Sequence, residues 1–111
     1  MKIIAIDHWK DGVTLETVQP HLRAELEAAW RLSKAGIIRE MYSRTDRIGV
    51  VCMFECDSLE ICRAYVDDFP LSKAGMIAWD LVPLKAPLPL EYLFDPAVDV
   101  KEPFDRTMPK A

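Results

Sequence analysis

Apolar and polar positions along the chain fall into blocks that predict strands and helices in alternation. Residues 2–9 are apolar and β-branched, which predicts a first strand, and a turn follows at 10–12. Apolar residues then recur at helical spacing up to Gly36, a usual helix stop. We expect Thr14 or Thr17 to cap this first helix, with Pro20 in its first turn.

The second half of the pattern predicts two strands, a helix and a last strand. Residues 37–44 and 48–56 read as strands joined by a short turn, and the later one is apolar on both faces. Such a strand is typical of the middle of a sheet that is covered on both sides. Asp57 is the predicted cap of the second helix, Pro70 ends that helix, and residues 76–82 form the last strand.

The resulting order, β-α-β-β-α-β, predicts an α+β protein with the ferredoxin-like arrangement. In that arrangement a four-stranded antiparallel sheet carries both helices on one face. The strands at 48–56 and 76–82 also have apolar residues for the opposite face, which the helices cannot cover. We therefore expect a homodimer through this sheet face, with larger homo-oligomers left open.

A single domain followed by a proline-rich extension is the predicted organisation. The chain has 111 residues, and six of its eight prolines lie from residue 83 onward. We assign residues 1–83 to the ferredoxin-like domain and 84–111 to the extension. Because the extension is apolar up to about residue 95, we expect that part to pack on the domain or on a partner subunit, with a flexible end.

Charge and motifs exclude several classes of function. The net charge of −4 disfavours nucleic acid and anionic membranes as partners, and no apolar stretch reaches the ~18 residues of a membrane span. The start of the chain lacks the apolar region of a signal peptide, so we expect a cytoplasmic protein. There is no phosphate-binding loop and no zinc-ligand spacing, so we predict no cofactor and no metal. Cys52, Cys56 and Cys62 are expected to be buried thiols.

Four residues remain as candidate catalytic groups. His8, at the end of the first strand, is either an exposed strand-end side chain or a general base, and His21, near the first helix start, is either solvated or a neutral base. Glu40 and Tyr42 share one face of the second strand. That face is either solvated or looks into a cavity on the helix side or the dimer side, where Glu40 would be an acid or base and Tyr42 a hydrogen-bond donor.

The middle of the chain resembles the muconolactone isomerase family of dimeric α+β barrel proteins. The resemblance is carried by Ala29-Trp30-Arg31-Leu32-Ser33-Lys34-Ala35-Gly36-Ile37-Ile38-Arg39, by Ser58-Leu59-Glu60 and by Phe69-Pro70-Leu71. It implies a cofactor-independent isomerase that transfers a proton on a small lactone or a related intermediate of aromatic breakdown. His8, His21 or Glu40 would supply the base. The alternative is a non-catalytic dimeric module that binds a small ligand.

A weaker resemblance links the chain to the YCII-related family. Pro20-His21-Leu22 and Ser72-Lys73-Ala74-Gly75-Met76 carry it. That family pairs a histidine of its first helix with an aspartate directly before a proline. Here Phe69 precedes Pro70 and the aspartate is Asp68, one position earlier, which turns the side chain by about 100° around a helix.

Overall fold

A computed structural model describes residues 1–87, 90 and 93–97 of the chain. Four strands and four helices form it, joined by a 3-10 turn at Gln19–His21. The strands are β1 (Lys2–Trp9), β2 (Ile38–Ser43), β3 (Val50–Glu55) and β4 (Ile77–Leu84). The helices are α1 (Leu15–Val18), α2 (Leu22–Lys34), α3 (Leu59–Asp67) and α4 (Pro70–Lys73). In this described part of the chain, no helix has the length and apolar character needed to cross a membrane.

The four strands form one antiparallel sheet in the order β2-β3-β1-β4. This order, with helices α2 and α3 as the crossovers, confirms the predicted α+β ferredoxin-like class. The strand predicted to be central, β3, lies between β2 and β1.

Alternate residues of the sheet build the core beneath the helices. The largest fully buried side chains include Phe54 and Ile3 from the central strands and Val66 from α3. Removing this apolar surface from water is the main favourable term in folding. The three cysteines are buried here as predicted, with exposed fractions of 7% or less.

A β-bulge in β2 changes which of its residues face the helices. Ile38 pairs with Phe54, but the next pair joins Glu40 to Met53, so Arg39 is an extra residue. Simple alternation predicts Ile38, Glu40 and Tyr42 on one face; Glu40 and Tyr42 do share a face, but the prediction is wrong for Ile38. Because of the bulge, Met41 follows Ile38 onto the helix side, while the Nε of Arg39 donates back to the carbonyl of Gly36.

The helix starts agree with the predicted ones at Thr14 and differ from them in two places. Thr14 caps the first helical segment and forms a reciprocal capping box with Thr17. Pro20 lies in the 3-10 turn that separates α1 from α2, so the predicted single helix is divided. Ser58, and not the predicted Asp57, caps α3: its Oγ accepts from the backbone N–H of Ile61 at 3.2 Å.

Pro70 begins a helix as well as following one. Helix α3 ends at Asp67, and Pro70 is the first residue of α4, where its missing N–H removes no helical bond. The segment between α3 and β4 is therefore a short helix where the pattern predicted a plain connection.

The face of the sheet opposite the helices, which we call the outer face, is largely apolar. It carries Ile4, Ile6, Tyr42, Val51, Met53, Val82 and Leu84, with His8, Glu40 and Asp80 among them. In the described chain nothing packs over these side chains, and Tyr42 and Val82 are 59% and 42% exposed.

The extension can be followed only in part. Strand β4 runs to Leu84, one residue past the predicted boundary, and Leu90, Leu93 and Phe94 are exposed. Residues 88, 89, 91, 92 and 98–111 lie outside the described residues. The packing of the extension therefore stays a prediction.

Replacement of Ser58 by alanine should cost about 1 kcal/mol of unfolding free energy, because the N–H of Ile61 loses its capping acceptor. Urea unfolding measures the loss. Asp57→Ala is the matched control and should change stability by less than half as much. Equal losses in the two variants would contradict the assignment of the cap.

Candidate functional site

A cavity of about 370 Å³ lies between the sheet and helix α2. Its walls are mostly apolar, and it opens to solvent beside Leu26, Met41 and Ile48, which line it and are exposed. Since an apolar cavity of about 150 Å³ already accepts benzene, there is room for one substituted ring. Besides the indoles of Trp9 and Trp79 and the thiol of Cys52, the lining contains four polar side chains: Asp7, Glu25, Ser43 and Arg44.

Asp7 is the most deeply buried charged residue of the described chain, with 4% of its surface exposed. It points to the helix side because Ile3, Ala5 and Asp7 alternate along β1. Its Oδ1 accepts the backbone N–H of Val50 at 2.9 Å, one residue past the last pair of the β1–β3 ladder. The side chain thus continues a central ladder and holds the carboxylate at the cavity floor.

Gly49 makes the close approach of Asp7 to β3 sterically allowed. Its φ is +152°, and a Cβ there would stand 2.7 Å from the Oδ1 of Asp7 and 2.9 Å from the Nη1 of Arg47. A side chain at this position would displace one of the two charged groups.

Glu25 brings a second carboxylate to the cavity from helix α2. Its Oε1 accepts the backbone N–H of Leu71 at 3.0 Å, at the start of α4. Phe69, which precedes α4, offers no side-chain cap, so Glu25 supplies the acceptor that the helix start requires.

Each of the two carboxylates has one oxygen that is not hydrogen-bonded within the described residues. Among the described residues, nothing donates to the Oδ2 of Asp7 or to the Oε2 of Glu25. No fully buried side-chain N or O atom in this part of the chain lacks a partner, so both oxygens reach open space. Both residues line the same cavity, so these two oxygens are the candidate ligand contacts there.

Burial raises the pKa of both carboxyl groups. For Asp7 the rise above the ordinary 3.8 is opposed by the Val50 N–H and by nearby charges, chiefly that of Arg47. For Glu25 the rise above 4.5 is opposed by the Leu71 N–H, while the charge of Asp7 adds to it. Carboxyl groups with raised pKa values in a shared cavity are suited to proton transfer.

The apolar wall beside the carboxylates is fixed by a stacked aromatic pair. The rings of Phe69 and Trp79 lie 5.7 Å apart at 27°. Trp79 Nε1 donates to Ser72 Oγ at 3.0 Å, and that hydroxyl donates to the carbonyl of Val66 at 2.7 Å. The wall is therefore held in place by hydrogen bonds as well as by packing.

Two arginines close to the cavity already have partners. Arg44 Nε donates to Asp46 at 2.8 Å, its Nη2 contacts the other oxygen, and the pair lowers the pKa of Asp46 to about 2. Arg47 donates to the backbone carbonyls of Asp7 and Ile48 at 2.9 and 3.0 Å.

Cys52 also lines the cavity but is held as a thiol. Burial, with the charges of Asp7 and Glu25 adding to it, raises the pKa of Cys52 to about 12. A thiol with this pKa supplies little thiolate at neutral pH, so Cys52 is poorly suited to act as a nucleophile. No group of three or more metal-binding side chains occurs in the described residues.

The four residues predicted as catalytic do not line this cavity. His8, Glu40 and Tyr42 lie on the outer face, where His8 Nε2 contacts Asp80 and Tyr42 donates to Glu40 at 2.7 Å. His21 is half-buried and is the last residue of the 3-10 turn, directly before α2. The structure brings Glu40 and Tyr42 together and leaves His21 apart from them. A catalytic role for the four predicted residues stays a prediction.

Asp7 and Glu25 were missed by the sequence reasoning, although Asp7 left a signal. It occupies the inward position of a strand whose other inward residues, Ile3 and Ala5, are apolar. A charged residue in such a row is rarely buried without a function or a partner. Glu25 carried no comparable signal, since charged residues surround it along α2.

Comparison with known proteins adds support for the fold. No protein-family model matches the chain, and no curated protein matches it. Among solved structures it is similar to 5-chloro-2-hydroxyhydroquinone dehydrochlorinase from Burkholderia phenoliruptrix AC1100, determined in complex with 2,5-dihydroxybenzoquinone. The TM-score is 0.65 at 19% identity, covering 77% of this chain and 94% of that one. At this identity the likeness shows a shared α+β fold and no more.

The stability of Asp7→Asn relative to the wild type should rise with pH. A raised carboxyl pKa means that the folded state prefers the protonated form, so wild-type stability falls as the pH rises above 3.8 and through the folded-state pKa. Asparagine keeps the acceptor for Val50 but does not ionise. Urea unfolding at a series of pH values from 4 upward should show the difference moving in favour of the variant until the pH passes the folded-state pKa, and constant above it.

Asp11→Asn, at an exposed turn residue, is the control and should leave the unfolding free energy close to that of the wild type. A pH-independent difference for Asp7→Asn would contradict the raised pKa.

Proposed function

We propose that the protein is an enzyme that transfers protons on a small single-ring compound in the helix-side cavity, without a cofactor. Isomerisation of a lactone, the reaction implied by the resemblance to muconolactone isomerases, belongs to this class. One observation carries the proposal: Asp7 and Glu25 line one mostly apolar cavity, and each has a carboxylate oxygen to which no described residue donates.

The two carboxyl groups suit a proton shift between two positions of a ring. Asp7, ionised before the reaction, removes a proton beside a carbonyl and then returns it at the second position of the ring, while Glu25 accepts a hydrogen bond from the substrate. Burial helps the removal step, since it makes the Asp7 carboxylate more basic than in water. Their backbone partners hold them in place while the substrate changes.

The similar solved structure supports a single-ring substrate for this fold. That enzyme is named as a dehydrochlorinase and holds a dihydroxybenzoquinone. Loss of HCl, like lactone isomerisation, requires removal of a proton. The two reactions therefore need the same kind of group.

A non-catalytic ligand-binding module is the second candidate. It is favoured by the structural use of both carboxylates, because Asp7 completes a strand ladder and Glu25 caps α4. Groups retained for folding alone would occupy the same positions. Catalysis has to be measured to separate the two candidates.

Deuterium incorporation from D2O, followed by NMR, tests the proposal on a panel of small lactones, enol-lactones and hydroxylated benzenes. We expect exchange on at least one compound, and a loss of at least about 100-fold in rate for Asp7→Asn. Glu25→Gln should lose rate in the same assay.

Glu27→Gln is the matched control, since Glu27 lies two residues along α2 with its side chain 62% exposed. Full activity of Asp7→Asn would contradict the proposed base. Absence of exchange on every compound would favour the binding module.

We further propose that a second copy of the chain covers the outer face. Apolar side chains there lie on both central strands, and a two-fold contact buries the same surface on each copy. His8, Glu40 and Tyr42 would then lie within the interface. A catalytic role for them would need a second cavity between the two copies.

Val51→Lys, at the centre of the outer face, should convert a dimer into a monomer, because a lysine there would be desolvated on association. Size-exclusion chromatography with light scattering measures the mass. Ile61→Lys is the control: Ile61 is 42% exposed on α3 and should leave the mass unchanged. A wild-type monomer would contradict the proposal outright.

A further inference from the structure

We propose that the helix-side cavity selects an uncharged ring that carries hydroxyl groups, and that it disfavours a ring carrying a carboxylate. The inference rests on the proposed function only in taking this cavity as the ligand site. It narrows the ligand class by the kinds of hydrogen-bonding groups that the cavity presents.

Asp7, Glu25 and Arg44 form the charged lining, with Ser43 and the indole of Trp9 as neutral polar groups. Ionised carboxylates are acceptors only, and Asp7 and Glu25 each have an oxygen to which no described residue donates. A ligand that fills the cavity displaces water from both oxygens and must supply a donor to each. Hydroxyl groups on a ring do so without bringing a charge into the cavity.

Positive charge is not free to receive an anion. Arg44 is the cationic residue of the lining, and its Nε and Nη2 bind Asp46. Arg47 is nearby, but its donors bind the carbonyls of Asp7 and Ile48. Because Asp46 already balances the charge of Arg44 and Asp7 lies beside Arg47, a ligand carboxylate would meet two protein carboxylates without a matching cation.

The remaining walls set the shape and polarity of the rest of the ligand. Leu22, Phe69 and Trp79 are among the apolar residues that line the cavity. They offer a face for a flat ring and no acceptor or donor for a second charged substituent. A ring with its polar groups on the Asp7 and Glu25 side therefore matches the cavity.

Calorimetric titration of the whole chain at pH 7, with oxygen excluded, tests the inference with defined probes. The probes are catechol, resorcinol and hydroquinone, their dimethyl ethers, and benzoate. We expect at least one diol to bind, and its ether and benzoate to bind at least about tenfold more weakly, because they leave both carboxylates without donors.

Variants test whether the two carboxylates, and not the shape of the cavity alone, cause the preference for a diol over its ether. Asp7→Asn and Glu25→Gln should each reduce the preference for the diol over its ether, whereas Glu27→Gln should keep it. Both amide variants retain an oxygen for the backbone bond, so retained folding is checked by the unfolding transition of each.

Other outcomes overturn the inference. It fails if benzoate binds as tightly as the best diol and loses that binding in Arg44→Gln, since Arg44 would then leave Asp46 for the ligand. It also fails if none of the probes binds, even where exchange on a lactone persists. Preferential diol binding without proton exchange on any compound supports this inference and contradicts the enzyme proposal.

Discussion

The hydrogen bond from the Val50 N–H to the Asp7 carboxylate is the constraint on which the rest of the site depends. It joins the two central strands where their ladder ends, and it holds a charge in a place that burial makes unfavourable. Gly49 permits the contact and Arg47 offsets part of its cost. Without this bond, the Asp7 carboxylate would lie buried beneath helix α2 with no hydrogen-bond donor among the described residues.

A carboxylate buried at this cost is more informative about function than an exposed one. Leu71 and Val50 would be satisfied equally well by neutral acceptors, such as asparagine or glutamine oxygens, that do not oppose their own burial. The retention of two acids, each with an oxygen open to the same cavity, therefore suggests a use beyond folding. Proton transfer is a use that requires groups able to gain and lose a charge.

The sequence predicted the fold better than the site, for physical reasons. The apolar, β-branched run of β1, the two apolar faces of β3 and the helical spacing before Gly36 are local signals, and they led to the correct sheet and to the two crossover helices. Outward residues such as His8 and Tyr42 attract notice because their chemistry is visible in the sequence. Asp7 and Glu25 become a pair only through the tertiary contacts that α2 and α4 make. The sequence also did not distinguish Ser58 from Asp57 as the cap of α3, and it did not indicate that Pro70 begins a helix.

The bulge at Arg39 has a consequence for the charge balance of the cavity. Before this residue the even-numbered positions of β2 face the helices, and after it the odd-numbered positions do, so Met41 and Ser43 line the cavity. With unbroken parity, Glu40 would take an inward place and the cavity would hold three acids. This one inserted residue therefore places Glu40 on the outer face, and the cavity is left with two acids.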